Sequence, residues 1–272
     1  MRLTRPKDLT ETLDLLAARD WHVLAGGTDL YPAHVERPFR RPLLDISGIK
    51  ALRGIDRTEA GWRIGATTTW TDIVRADLPP AFDALKAAAR EVGSIQIQNA
   101  ATVAGNLCNA SPAADGVPPL LILDTRVELA SAEHGSRLVA LEDFILGNRR
   151  TALRPGELVV ALHVPAAGAT GRSSFVKLGS RRYLVISIAM VAARLAEGEA
   201  AIAVGACSEV ATRLPALEQA LVARGGGETF DSLATPAHFA ALNPIDDVRA
   251  STSYRRDAAR TCTIRALEEI TS

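Results

Sequence analysis

SIQIQNAATVAGNLCNASPAADGVPP, residues Ser94–Pro119, is the stretch on which the reading of this 272-residue chain turns. It is rich in Asn, Gln, Ala, Gly and Ser and poor in large apolar residues, yet it lies between segments with clear secondary-structure signals. A long polar loop inside a compact domain is usually functional or disordered. The scarcity of charge and the alternating Ile95 and Ile97 argue against disorder, so the stretch is expected to be an irregular loop that lines a ligand. Its centre, Thr102-Val103-Ala104-Gly105-Asn106, can present backbone N–H groups at close range, and Thr102 and Asn106 can add side-chain hydrogen bonds.

A second small-residue loop, Leu24-Ala25-Gly26-Gly27-Thr28-Asp29, follows a short apolar strand at Trp21–Ala25. Two consecutive glycines let successive N–H groups converge on one concavity, a nest that holds an anion without any lysine. A lone Gly-Gly is as compatible with a plain strand-to-helix turn, but two such loops on one chain can hold one diphosphate between them. A side chain added at Gly26 or Gly105 is expected to fill its nest. Neither loop is G-x-G-x-x-G or G-x-x-x-x-G-K-[ST], so neither the Rossmann nor the P-loop mode is supported.

Around these loops the chain reads as α+β. Asp8 and Glu11 cap a helix carrying Leu9, Leu13 and Leu16, and Thr69 with Asp72 cap another. Phe82, Leu85 and Ala89 share a helical face that ends near Gly93. Strands are expected at Leu43–Ile46, Gly61–Ala66, Val127–Ala130 and Leu158–Val164. The small, flexible AAGATGR, residues 166–172, reads as a domain boundary. Beyond it Ser173–Leu178, Ile186–Leu195 and Ala200–Ala206 read as an antiparallel sheet, closed by helices that include Tyr254–Ile270.

Lys plus Arg and Asp plus Glu number 31 each, so no net field gathers a polyanion, which argues against nucleic acid and anionic membrane as partners. Hydrophobic residues at 47% and charged residues at 23% describe a folded chain, and aromatics at 4% leave the core to Ala, Val, Leu and Ile. The start MRLTRPKDLTETLDLL has no secretory pattern, and the longest apolar stretch, Leu184–Ala193, is too short to span a bilayer. A cytoplasmic protein with no membrane span is expected. Cys108, Cys207 and Cys262 are dispersed without C-x-x-C, so no metal or iron–sulfur cluster is expected on this chain.

Single residues leave more open. Asp115 can accept hydrogen bonds from ribose hydroxyls or an adenine amine, or can cap the helix leading to Leu123. Lys177, Arg181 and Arg182 form a basic group that is either functional or simply solvated. Cys108 reads as a small buried residue rather than a nucleophile, and the five histidines form no triad.

Taken together, Ala25-Gly26-Gly27-Thr28-Asp29-Leu30, the Thr67-Thr68-Thr69 stretch, Ile97-Gln98-Asn99 leading into TVAGNLCNASPAAD, PGELVVALHVP and FVKLGSRR resemble the FAD-binding medium subunit of the molybdenum hydroxylases. That family includes xanthine dehydrogenase and carbon monoxide dehydrogenase, and the resemblance covers essentially the whole chain. It implies a two-lobed FAD-binding domain of the vanillyl-alcohol-oxidase or PCMH type over 1–170, with lobes of about 1–55 and 56–170. A smaller α+β domain with a three-stranded antiparallel sheet and C-terminal helices follows over 173–272. In that fold the loop Leu24, Ala25, Gly26, Gly27, Thr28, Asp29, Leu30 and Tyr31 wraps the diphosphate of a non-covalent, extended FAD together with Thr102, Ala104, Gly105 and Asn106. Asp115 is implied to hold the adenosine ribose, Val92, Leu158 and Val159 to line the pocket, and Lys177 to lie near the flavin ring.

The resemblance further implies an oxidoreductase subunit with no catalytic side chain of its own. Electrons would come from an iron–sulfur small subunit and pass through FAD to NAD, a quinone or oxygen, with molybdopterin in a large subunit and the whole a dimer of heterotrimers. Ala104 stands where many relatives have the first glycine of T-x-G-G-N, and Leu184-Val185 where some have an acidic residue or tyrosine beside the ring. The alternative function is a self-contained flavin-dependent oxidoreductase of the same FAD-binding fold, and a second alternative a nucleotide-binding module that has lost flavin.

Overall fold

The computed structural model describes residues 3–36, 38–224 and 228–272. A three-stranded parallel sheet opens the chain, ordered β1 (Leu3–Thr4), β3 (Leu43–Asp45), β2 (His22–Leu24), with helix α1 (Leu9–Ala18) between β1 and β2. Asp8 caps α1 by accepting from the Glu11 amide at 2.9 Å, and Glu11 accepts from the Lys7 amide at 2.7 Å. The apolar side of α1 closes over Trp21, Leu44, Ile46 and Leu52, a small core that also takes Ala130, Leu158 and Val160 from the next sheet.

That next sheet is antiparallel, ordered β4 (Ile55–Thr58), β5 (Gly61–Gly65), β10 (Leu158–Pro165), β6 (Arg126–Ser131), β7 (Gly135–Ala140). In β10 the register against β6 shifts between Val159 and Ala161. A one-residue slip turns the following side chains to the other face. Leu158 and Val160 accordingly face the first core, while Val159, Leu162 and Val164 belong to the second and largest one.

The helices between β5 and β6 fill that second core: α2 (Trp70–Arg75), α3 (Asp83–Glu91), α4 (Ile95–Ala100), α5 (Val103–Asn109) and α6 (Val117–Ile122). The stretch from Ser94 to Pro119 is therefore not the irregular loop its composition suggests. It folds as three helices of 6, 7 and 6 residues. Less than two turns cannot display a 3.6-residue period, but the caps are local. Ser94 and Thr102 accept from the amides three residues on, and Pro118-Pro119 occupy the first turn of α6, where a missing N–H costs nothing.

After β7 come α7 (Leu141–Phe144) and the two-stranded hairpin β8 (Ile145–Gly147) and β9 (Arg150–Thr151). The C-terminal sheet is antiparallel, β11 (Arg172–Leu178), β12 (Ala189–Ala196), β13 (Glu199–Gly205), with a two-residue edge, β14 (Thr212–Arg213), beyond the three long strands. Both faces are covered. Met190, Ala192, Ala201 and Ala203 point into the second core, and Ala189, Val191, Ala193, Ile202 and Val204 into a third beneath α8 (Pro215–Val222), α9 (Phe230–Leu233) and α10 (Thr252–Thr271). Arg255 of α10, 3% exposed, donates to the Ile188 and Ala206 carbonyls and pairs with Asp247 at 2.7 Å, fastening the helix to the sheet end. The strand expected from Ile186 starts only at Ala189, because Ser187 is bonded elsewhere.

Candidate functional site: a cleft between the two lobes

A cleft of about 650 Å³ opens where the turn after β2, the N-terminus of α5 and the start of β10 meet. Its first wall is Leu24–Leu30. The Leu24 carbonyl is held by the Ile46 amide at 2.9 Å, and the chain then turns at Gly27, φ +70°, with the Tyr31 amide returning to the Gly27 carbonyl at 3.0 Å. The amides of Gly26, Gly27 and Thr28 have no acceptor among the described residues. Gly26 is tied to position for a reason the sequence does not carry: a Cβ there would lie 2.0 Å from the Ala100 carbonyl oxygen at the end of α4. A side chain at Gly26 strikes the protein, not the concavity, which corrects the expectation that it would fill the nest.

The second wall is α5. Thr102 accepts from the Gly105 amide at 3.0 Å, and the Val103 and Asn106 amides are met by the Thr68 and Thr102 carbonyls. That leaves the Ala104 amide without an acceptor among the described residues. The Thr67-Thr68-Thr69 run holds this wall in place. Thr67 Oγ1 donates to the Leu52 carbonyl and Thr68 Oγ1 to that of Gly54, while Thr69 caps α2 and bridges to Thr102. Two buried polar atoms, Asn106 Oδ1 and Trp70 Nε1, have no hydrogen-bond partner among the described residues; Asn106 Oδ1 and the Trp70 ring both pack against Gly116, behind the cleft wall.

The third wall is Glu157, Leu158 and Val159 with Leu153 and Arg149. Arg137 grips Glu157 through two bonds, at 2.7 and 2.8 Å, and its guanidinium holds the Glu157 carboxyl below the usual range. Cys108 opens on the cleft from α5 one turn after Ala104 and is exposed. The expectation that Cys108 is buried is thus corrected, because positions 104 and 108 share a helical face.

Of the residues singled out in the sequence, Leu24, Ala25, Gly26, Gly27, Thr28, Asp29, Leu30, Val92, Thr102, Ala104, Gly105, Asn106, Leu158 and Val159 all line this cleft. Tyr31, Asp115 and Lys177 do not. The Tyr31 ring packs over Gly27 and is half exposed. Asp115 is joined to Lys177 Nζ at 2.7 Å and to Ser187 Oγ at 2.6 Å, tying β11 and the segment before β12 to the turn leading into α6. Burial pushes the Asp115 carboxyl up, against the pull of Lys177 and Ser187. One close ion pair cannot serve both the adenosine ribose and the flavin ring of an extended dinucleotide, so the separate places implied for Asp115 and Lys177 do not hold together. Arg181 turns to the Tyr183 and Leu184 carbonyls.

Sequence reasoning passed over Ile46, Trp70, Ile97, Asn109, Arg149 and Glu157, which also line the cleft. Glu157 stands beside a residue that was chosen, and Arg149 sits in a Gly-Asn-Arg-Arg turn whose conformation is a usable signal. Among the described residues no group of three or more His, Cys, Asp or Glu could hold a metal ion, and no helix is long and apolar enough to cross a membrane.

Residues whose amides have no acceptor among the described residues line the cleft, and a sheet covered on both faces follows. Residues 1–167 match the family model described as the FAD binding domain in molybdopterin dehydrogenase, and residues 174–270 match the CO dehydrogenase flavoprotein C-terminal domain. The chain belongs to this FAD-binding family. It is 37% identical over 165 residues to the xanthine dehydrogenase FAD-binding subunit of Escherichia coli O157:H7, an alignment covering 59% of this chain and 56% of that protein. The chain thus spans little more than half the length of that relative. Against the glyceraldehyde dehydrogenase medium chain of Sulfolobus acidocaldarius the identity is 30% over 275 residues, 98% of this chain and 96% of that one. Among solved structures, quinoline 2-oxidoreductase from Pseudomonas putida 86 matches with a TM-score of 0.88 at 25% identity, covering 99% of this chain and 96% of its counterpart. Carbon monoxide dehydrogenase from Hydrogenophaga pseudoflava gives 0.85 at 27%, with the same coverage.

Proposed function

We propose that this chain is the FAD-binding medium subunit of a molybdenum-containing dehydrogenase, an oxidoreductase component that relays electrons from an iron–sulfur subunit to NAD or another acceptor. The observation that carries the reading is that Gly26–Thr28 and Ala104, whose amides have no acceptor among the described residues, line one cleft. Backbone amides suit a diphosphate, and the flanking Leu158, Val159, Val92 and Ile97 suit a flat apolar ring system. FAD bound there would supply the redox chemistry, since flavins accept electrons singly or in pairs.

The residues of this chain then bind, orient and exclude water. Gly26 and Gly27 set the curvature of the first wall, Thr102 fixes the start of α5, and Arg137 holds Glu157 at the rim. Residues 1–170 form the FAD-binding domain in this reading, and residues 173–272 the domain that braces it. The natural partners are an iron–sulfur small subunit and a molybdopterin large subunit, arranged as a dimer of heterotrimers in the cytoplasm. The test is the visible spectrum of the purified chain, followed by chromatography of whatever is released on denaturation. A flavin spectrum with free FAD in the supernatant is expected, together with co-purification of chains carrying molybdenum and iron–sulfur centres. A colourless chain that FAD neither colours nor stabilises against heat overturns the reading.

A further inference from the structure

The cleft is lined by two arginines, and they differ in what they have left to give. Arg41 is committed to Asp20 at 2.8 Å. Arg149 forms no ion pair among the described residues: its Nη1 donates to the neutral Asn109 Oδ1 at 3.0 Å. The two carboxylates on the cleft wall are already occupied, Glu157 by Arg137 and Asp29 by Asn109 Nδ2 at 3.2 Å. Asn109 therefore stands between Arg149 and Asp29, and most of the guanidinium N–H groups have no acceptor among the described residues.

The backbone gives a second, independent observation. Arg149 is the latter residue of the two-residue turn Asn148-Arg149 between β8 and β9, and its φ is +56°. Glycine enters this left-handed region without strain, whereas an arginine there carries a backbone cost. The Arg149 amide also donates to the Ala110 carbonyl at 3.0 Å, which seats the hairpin tip on the end of α5.

We propose that Arg149 is the cation that pairs with the diphosphate of the dinucleotide in this cleft, with Asn109 as the positioning residue that holds the guanidinium off Asp29. The proposal rests on the FAD-binding reading above. Amide nests offer only partial charges to a dianionic group, and a guanidinium adds a full charge with fork geometry suited to phosphate oxygens.

The test is calorimetric titration of the full chain, stripped of cofactor, with FAD, ADP and riboflavin, for wild type, Arg149→Met and Arg149→Gly. Both variants are expected to bind FAD and ADP about 10- to 100-fold more weakly, as loss of a charged hydrogen-bonding partner implies, with riboflavin unaffected. Without ligand, Arg149→Gly is expected to melt at or above the wild-type temperature because the turn strain is relieved. FAD and ADP affinities within about twofold of wild type in both variants overturn the proposal. So does a loss seen with riboflavin and FAD but not ADP, which moves the contact to the ring, or a lowered melting temperature of Arg149→Gly, which makes Arg149 a structural strut. A wild-type chain that binds none of the three overturns the FAD reading itself.

Discussion

Gly26 and Cys108 show how far a residue's identity specifies its role. Gly26 was legible as a glycine that matters, but the reason lies in a neighbour 74 residues away: the Ala100 carbonyl would sit 2.0 Å from any Cβ, and a backbone oxygen cannot rotate aside. Gly26→Ala is expected to cost about 3 kcal/mol or more through this clash, lowering the melting temperature before any ligand is added. Thermal denaturation of the ligand-free chain checks it, and an unchanged midpoint would return Gly26 to a purely ligand-facing role. Cys108 opens on the cleft. Iodoacetamide is expected to alkylate it in the ligand-free chain and to do so several-fold more slowly with FAD bound, with mass spectrometry of the peptide as the readout. Equal rates with and without FAD would place the thiol outside the ligand's footprint.

At the scale of elements, the chain's caps and turns were readable and its short helices were not. Thr69 with Asp72 forms the capping box that the sequence suggests, because four consecutive residues carry all of its information. The helices α4 and α5 are each under two turns and owe their existence to contacts far along the chain, such as the Trp70 amide on the Ala101 carbonyl and the Val103 amide on that of Thr68. Thr102 joins the two kinds of determinant, since its hydroxyl caps α5 and its backbone bridges Thr69. Thr102→Val keeps the shape and removes the cap, leaving the Gly105 amide unpaired. Destabilisation of about 1 kcal/mol is expected, and flavin retention should fall with it because the start of α5 is the second wall of the cleft. Chemical denaturation with flavin fluorescence as a parallel probe measures both. Loss of flavin without loss of stability would mean that the hydroxyl serves the ligand alone.

At the scale of the whole molecule, the C-terminal sheet is the shared wall between two cores, and this decides how the cleft is supported. The alternation along β12 and β13 was visible as runs of Ala, Val and Ile, but a run that is apolar on both faces does not say which face meets which neighbour. The structure divides them by alternation: Met190, Ala192, Ala201 and Ala203 meet the FAD-binding half, whereas Ala189, Val191, Ala193, Ile202 and Val204 meet α8 and α10. Small residues bring α6 close to the sheet, and Gly205 packs against Pro118 at the start of α6. Because α6 continues from the turn that carries Asp115, the fit at this layer is transmitted to the Lys177 and Ser187 contacts and to the end of α5. Ala203, fully buried on the side of the second core, is the position at which this coupling can be read. Ala203→Leu adds three carbons to a filled layer and should cost about 1–3 kcal/mol. If the two halves unfold as one unit, the variant melts in a single transition at lower temperature and releases flavin in that same transition. If the C-terminal half only rests against the other, the variant instead shows two transitions, with flavin leaving in the later one. Calorimetry alongside flavin fluorescence separates the outcomes, and the shared core predicts the single transition.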